Sequence, residues 1–253
     1  MRVRLRYTKA GKVRWTSHRD LARMFERAFR RTQLPIAYSG GFAPRPKVSF
    51  GLALPTGAES EAEYLDLELV DGTAVDLNNV DLNNVDLNNV DLNNVDLTTL
   101  PARLSEALPV GVEVNAAAAI DDGAPSLQEA VSSCVWRVGV SGIGHDELCE
   151  KVADVIAAPT LVVTRTRKGN LVTDDIRPGI LALRVVEGVE VEGELATQPR
   201  AVRPGELVRA IDPGLEEAWV RRTNQWIERD GARGVPLRAT DAQHVRLAGA
   251  RAR

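Results

Sequence analysis

MRVRLRYTKAGKVRWTSHRDLARMFERAFRRTQLPIAYSGGFAPRPKVSF, residues 1–50, sets the pattern by which the whole chain is read. Val3, Leu5 and Tyr7 alternate with Arg2, Arg4 and Arg6, the period of a half-buried strand. Lys9-Ala-Gly-Lys12 turns the chain, and Val13 and Trp15 alternate with Lys12 and Arg14, so a second short strand and a hairpin are expected. Ser17 caps a helix, with Asp20 as the acidic half of a capping box, and Pro35 marks its end. Ser39-Gly-Gly-Phe-Ala-Pro-Arg-Pro46 is a loop, after which Val48, Phe50, Leu52 and Leu54 share one side of a strand. Trp15 and Phe50 occupy core-facing strand positions and read as packing.

Working outward, Tyr64–Val70 reads as a strand with Leu65, Leu67 and Leu69 inward, Leu100–Leu108 as a helix and Val110–Val114 as a strand. The order βαββαβ, with a hairpin added at its start, suits a ferredoxin-like α+β sandwich. The order then recurs. Cys134–Val140 is a strand, His145–Ala157 a helix with Leu148, Val152, Val155 and Ile156 on one side, and Leu161–Arg167, Ile180–Val186 and Val189–Leu195 are strands before a helix opens at Pro204. The expected fold class is α+β, two tandem ferredoxin-like sandwiches with a sheet each. Their boundaries are 1–115 for a basic N-terminal domain, 116–130 for a Gly/Pro/Asp-rich linker, 131–212 for the second domain and 213–253 for a helical tail carrying Trp219 and Trp226.

Residues 75–99 stand apart. Val-Asp-Leu-Asn-Asn occurs four times from Val75 to Asn94 and is followed by Val-Asp-Leu-Thr-Thr. The pattern fits pentapeptide repeats, in which the central Leu points into a β-helix, but this length gives little more than one coil and solenoids need stacked neighbours. It reads as the expansion of a surface loop, where insertions cost little stability; a small binding ledge is the alternative.

Charge is the strongest functional clue. Residues 1–50 hold thirteen Lys/Arg against Asp20 and Glu26, a balance of +11. The whole chain carries −3, so the other 203 residues carry −14. A protein polarised in this way offers one surface to polyanions and another that repels them. No apolar run is long enough to span a membrane, and the N-terminus opens on arginines instead of an apolar signal region. Cys134 and Cys149 form no Cys-x-x-Cys pair, and the three histidines are scattered. The chain therefore reads as a reduced, cytoplasmic protein without metal or cofactor, and no nucleophile elbow, Walker loop or dinucleotide fingerprint is present.

Stepped at about 100° per residue, Arg19, Arg23, Arg27, Arg30 and Arg31 fall within an arc of about 120°, while Leu21, Phe25 and Ala28 lie opposite. Solvated helix faces ordinarily mix signs, so a stripe this unbalanced points to phosphate binding. Arg2, Arg4 and Arg6 are evenly divided between that role and cross-strand ion pairs with Asp66 and Glu68. The loop offers Arg45, Lys47, Tyr38 and Phe42: glycines permit close backbone approach, and exposed aromatics stack on splayed bases. A stiff connection with its aromatics folded onto the core is the equal alternative. His18 beside Asp20 is a weak acid–base candidate and more ordinarily a surface residue.

Arg6-Tyr-Thr-Lys-Ala-Gly-Lys-Val-Arg-Trp-Thr-Ser-His-Arg-Asp20 resembles the opening of the bacterial radical-SAM-linked proteins, a family of undetermined function. Ala37-Tyr-Ser-Gly-Gly-Phe-Ala-Pro-Arg-Pro-Lys-Val-Ser-Phe50, Pro55-Thr-Gly and Ser60-Glu-Ala-Glu-Tyr64 resemble it too, as do Arg167-Lys-Gly, Asp175-Ile-Arg-Pro178 and Arg203-Pro204. The likeness covers residues 2–212; the repeat departs from it. Membership implies a partner, a radical S-adenosylmethionine protein with a cobalamin-binding module, often with a ribonuclease E/G gene nearby. This chain has no Cys-x-x-x-Cys-x-x-Cys for that enzyme's cluster, so the resemblance implies a stand-alone, non-catalytic accessory that binds RNA for modification or processing. Two other classes stand beside it. One is a metal-independent endoribonuclease with Tyr7, His18 and Lys47 as its acid–base set, an analogy of fold alone. The other is a scaffold that binds only protein. Asp175, Arg177 and Arg203 are equally suited to partner contact and to structural ion pairs.

Overall fold

The computed structural model describes residues 1–70, 95–167, 169–229 and 231–237, with the backbone alone for Arg167. Most of the expected repeat insert falls on residues 71–94, outside the described residues. Two compact units are separable, Met1–Thr56 with Glu61–Ala130 and Pro236–Arg253, and Gly57–Ser60 with Val131–Val235.

The first unit contains β1 (Arg2–Lys9), α1 (His18–Arg31), β2 (Val48–Phe50), most of β3 (Glu59–Glu68), α2 (Leu100–Ala107), β4 (Val112–Ile120) and the short α3 (Leu127–Ala130). The second contains β5 (Val131–Ser141), α4 (His145–Ala157), β6 (Val162–Arg167), β7 (Asn170–Asp175), β8 (Ile180–Val185), β9 (Glu190–Ala196), α5 (Pro204–Ile211), β10 (Glu216–Arg229) and β11 (Ala232–Gly234). The fold is mixed α+β. One large, mostly antiparallel sheet runs β4-β1-β3-β10-β5-β9-β8, with β2 on β3 and β11 on β10, and β6 and β7 form a separate ribbon. Strand pairing thus corrects the expectation of a sheet for each half: Glu59 and Ser60 of β3, which group with the second unit, pair parallel with Arg221 and Arg222 of β10. No helix among the described residues is long and apolar enough to cross a membrane.

Alternation along β1 sorts its side chains onto two faces. Val3, Leu5 and Tyr7 join Leu65, Leu67 and Leu69 beneath α1, whose Leu21, Phe25, Ala28 and Phe29 close that core. Tyr7 meets Phe25 edge-on with ring centroids 4.9 Å apart. On the other face Arg4, 1% exposed, donates from Nε and Nη2 to the two oxygens of Asp66 at 2.7 and 2.8 Å. Arg2 reaches the same carboxylate at 3.4 Å and donates to the carbonyls of Asp122 and Ala124 at 2.9 Å each. Two of the three β1 arginines are therefore structural.

Three further expectations give way to tertiary structure. Gly11–Trp15 is a 3-10 turn and not a hairpin strand. Gly11 takes φ +68, Ala10 N–H donates to Gly111 O at 2.8 Å, and a Cβ on Gly111 would lie 2.3 Å from that Ala10 carbonyl oxygen. With one buried residue, Val13, the turn has no sheet to join, and Trp15 stands 64% exposed.

Parts of the expected linker 116–130 are built into the first unit, although Asp121–Gly123 stay exposed. Ala116–Ile120 pairs with Arg2–Arg6, and Ala116 and Leu127 pack with Ala62, Tyr64 and Leu237. Its small residues fit a tight contact and do not mark a flexible tether. The 213–253 tail is no helix over Glu216–Arg229: that segment is β10, paired with β5 through ten residues. Three register shifts along the pair break the two-residue period, so the spacing of Trp219 and Trp226 imitates a helix. Trp219 lies flat on β5, where a Cβ on Gly139 would meet its indole nitrogen at 2.2 Å.

Candidate nucleic-acid interface

Helix α1 starts where its sequence says. Ser17 Oγ accepts the Asp20 N–H at 3.1 Å and donates to the Asp20 carboxylate at 2.7 Å, fixing the first turn. Burial of Leu21, Phe25, Ala28 and Phe29 fixes the rotation of the helix, and Arg19, Arg23, Arg27, Arg30 and Arg31 all remain exposed on the outer side.

The loop after α1 is pinned at its stem. Lys47 N–H donates to Ala37 O at 2.8 Å, Ser39 N–H to Arg45 O at 2.9 Å, and Arg45 N–H to Ser39 Oγ at 3.1 Å. Between these bonds Gly40 and Gly41 turn the tip, Gly41 at φ +110, and hold Phe42 fully in solvent. An open groove separates stem and helix. Arg19, Arg23 and Arg30 line it from α1, Tyr38 and Arg45 from the stem, and Phe29, Val48 and Phe50 supply an apolar floor. Glu26 is the one acid among the described residues that line it. Arg23 is held by Asp20 at 3.5 Å between two half-exposed side chains; among the described residues Arg19, Arg30 and Arg45 have no ion pair. Among the described residues, four guanidiniums against one carboxylate give the groove a positive charge beside a half-apolar wall.

The remaining candidates lie elsewhere. Arg27 and Arg31 share the exposed face but do not line the groove; Arg27 Nε donates to Arg23 O at 3.2 Å, and Arg31 reaches the carbonyl of Ala107 at 3.5 Å. Lys47 turns away to pair with Glu68 at 2.8 Å, so the acid expected to face the β1 arginines neutralises Lys47 instead.

Tyr7 and His18 both line a cavity of about 10 Å³, together with Lys9 and Glu63. That is room for one water, not for a phosphodiester. His18 packs edge-on against Phe50 with centroids 5.1 Å apart. Burial holds the Lys9 ammonium below its ordinary pKa, partly offset by the Glu63 charge, and Lys9 donates to Thr16 O at 3.0 Å. Lys9 therefore pins the 3-10 turn. Tyr7, His18 and Lys47 are not assembled as an acid–base set.

In the second unit the motif residues serve the backbone. Asp175 accepts the N–H groups of Leu161 at 2.7 Å and Arg177 at 2.9 Å, and these two bonds hold its carboxyl below the usual range. The Arg177 guanidinium donates to the carbonyls of Ile156, Ala158 and Ile180, closing the end of α4. Arg203 N–H donates to Glu206 at 2.9 Å at the start of α5. Arg200 bridges Asp174 at 3.0 Å and Glu206 at 2.9 Å, and Arg165 adds a second bond to Asp174 at 3.1 Å. Of the two alternatives for this half, the structural one fits Asp175, Arg177 and Arg203, through backbone hydrogen bonds more than ion pairs.

Sequence reasoning missed Phe50 as a groove residue, because alternation assigns an aromatic to the core without saying where the core ends. Trp15 it placed inward; its exposure and the stacking of Arg14 over it at 5.3 Å had no local signal.

Among family models, the bacterial family described as "Uncharacterized protein conserved in bacteria (DUF2344)" matches residues 2–90 and 83–204. No curated protein matches the chain. The match spans more than half of the sequence, and the chain belongs to this family.

Proposed function

We propose, proceeding from membership of that bacterial family, that this protein is a non-catalytic RNA-binding accessory whose groove between α1 and the 38–47 loop holds the phosphate backbone. The observation that carries the reading is the juxtaposition of Arg19, Arg23, Arg30 and Arg45 around one groove with Glu26 as the only acid among the described residues that line it. Resemblance to the radical-SAM-linked proteins supplies the context: a cytoplasmic partner to a radical S-adenosylmethionine protein with a cobalamin module, acting in RNA modification or processing, with ribonuclease E/G as a further candidate partner.

The tandem ferredoxin-like description of the fold belongs to the same proposal. It is supported by the order β4-β1-β3-β2 in the first unit and β10-β5-β9-β8 in the second, each strand set interrupted by two helices.

The test is binding of a labelled RNA measured against salt. Each engaged phosphate contributes about 0.7 to the log–log slope for a single strand. The Arg19→Gln/Arg30→Gln double variant should lose about 1.4 from that slope with an unchanged melting temperature, since both side chains face solvent. An unchanged slope would leave the stripe a solvated helix face. Cleavage of the RNA in EDTA would favour the endoribonuclease, and absence of RNA binding would favour the protein-only scaffold. Copurification of a co-expressed radical S-adenosylmethionine protein tests the partner; separate elution at micromolar concentration speaks against a stable complex.

A further inference from the structure

The groove's chemistry says more than that its ligand is anionic. A duplex keeps the faces of its bases stacked inside and offers a protein phosphates, sugars and base edges. Such a ligand satisfies Arg19, Arg23, Arg30 and Arg45 but leaves the half-buried Val48 and Phe50 of the floor and the ring of Tyr38 uncovered. A single strand presents base faces and phosphates together, which matches a wall that alternates guanidinium and aromatic groups.

Phe42 carries the same message independently. Its loop is closed at the stem by the Ser39–Arg45 bond of 2.9 Å and the Ala37–Lys47 bond of 2.8 Å, and a Cβ on either glycine before it would meet nothing within 4 Å. The fold thus spends a pinned stem and two glycines on holding a phenyl ring wholly in water, with Arg45 in the same loop. In contrast, the aromatics Tyr7, Phe25 and Phe29 of the same unit are buried.

We infer that the ligand is a single-stranded polynucleotide, its phosphates held by Arg19, Arg23, Arg30 and Arg45 and its bases stacked on Tyr38 and Phe42. This rests on the RNA-binding reading of the groove and narrows it from polyanion to unpaired strand. The bases carry no sequence preference through stacking alone, because every base has a π-face.

The experiment is fluorescence anisotropy with four probes: a 20-nucleotide oligouridylate, its DNA equivalent, a 20-base-pair RNA duplex, and heparin as a polyanion without bases. The full-length protein should bind the single strands at least about fivefold more tightly than the duplex at equal salt. Phe42→Ala should weaken single-strand binding about fivefold or more and leave heparin binding unchanged; Tyr38→Ala should act in the same direction. The RNA and DNA strands, compared with each other, assign the sugar. Duplex binding as tight as single-strand binding, or a Phe42→Ala variant that binds the single strand like the parent, would overturn the inference while the basic groove stands. Failure of all four probes to bind would remove both.

Discussion

Strand β1 and helix α1 each carry a stripe of arginines, fewer than twenty residues apart, and the fold treats them in opposite ways. Arg4 is buried, with both oxygens of Asp66 engaged, and Arg2 completes the same cluster. Arg19, Arg23, Arg27, Arg30 and Arg31 face solvent, and Asp20 on Arg23 is the one acid that pairs with any of them among the described residues. A strand in the middle of a sheet has neighbours on both sides, so its polar face meets other side chains at about 5 Å. An outer helix face meets water. The same residue type therefore becomes a fold-stabilising cluster in one case and a largely unneutralised surface charge in the other.

The second unit repeats the β1 solution at its surface. Arg137 pairs with Glu190 at 2.5 Å, Arg184 with Glu192 at 2.5 Å, and Arg233 with Glu194. Its acidic excess is thus partly cancelled locally, whereas the basic excess around the groove is not.

The largest effect that would break this contrast lies at Asp66. Asp66→Ala leaves Arg4 buried without its carboxylate, and the loss should be about 3–5 kcal/mol in denaturant unfolding. A cost below 1 kcal/mol would make the β1 stripe as dispensable as a surface patch. Next in size is the pair Arg23→Gln/Arg27→Gln, of which only Arg23 lines the groove. Its salt slope for RNA should fall by about 0.7, half the effect of the Arg19/Arg30 pair. Equal falls for the two pairs would mean that the whole helix face, and not the groove, meets the ligand.

Acid should act on the second unit. Burial raises the Asp174 carboxyl, but the bonds from Arg165 and Arg200 outweigh it, and Asp212 is lowered by Lys151 and the Gly214 N–H. With Asp175, three carboxyls are held below their ordinary value of 3.8. The stability they contribute is complete above that pH and is lost as pH falls through the lowered folded values. Urea midpoints at pH 7 and pH 3.5 should therefore differ, and by less in Asp175→Asn; a pH-independent midpoint would contradict these bonds. The smallest effect is at Lys47. Lys47→Met removes an exposed pair with Glu68, so stability should move by about 0.5 kcal/mol and the RNA salt slope should stay as it was.

Periodicity and capping determined most of the local architecture from sequence alone. The alternation of Val3, Leu5 and Tyr7, the Ser17 cap, the arginine arc of α1 and the helix over His145–Ala157 all depend on contacts within a few residues, which the chain itself specifies. The same local character made the charge polarity of residues 1–50 legible. What neighbours far along the chain decide stayed hidden. Trp219 and Trp226 became strand residues because β5 lay ready to pair, with register shifts that disguised the period. Ala116–Ile120 became part of the sheet's edge strand because β1 took it up. Lys47 was drawn off by Glu68, the open choice for Arg4 was closed by Asp66, and Phe50 was left half-buried at a groove's floor. Residue type sets what a side chain can do; which partner reaches it first, across tens of residues of chain, sets what it does.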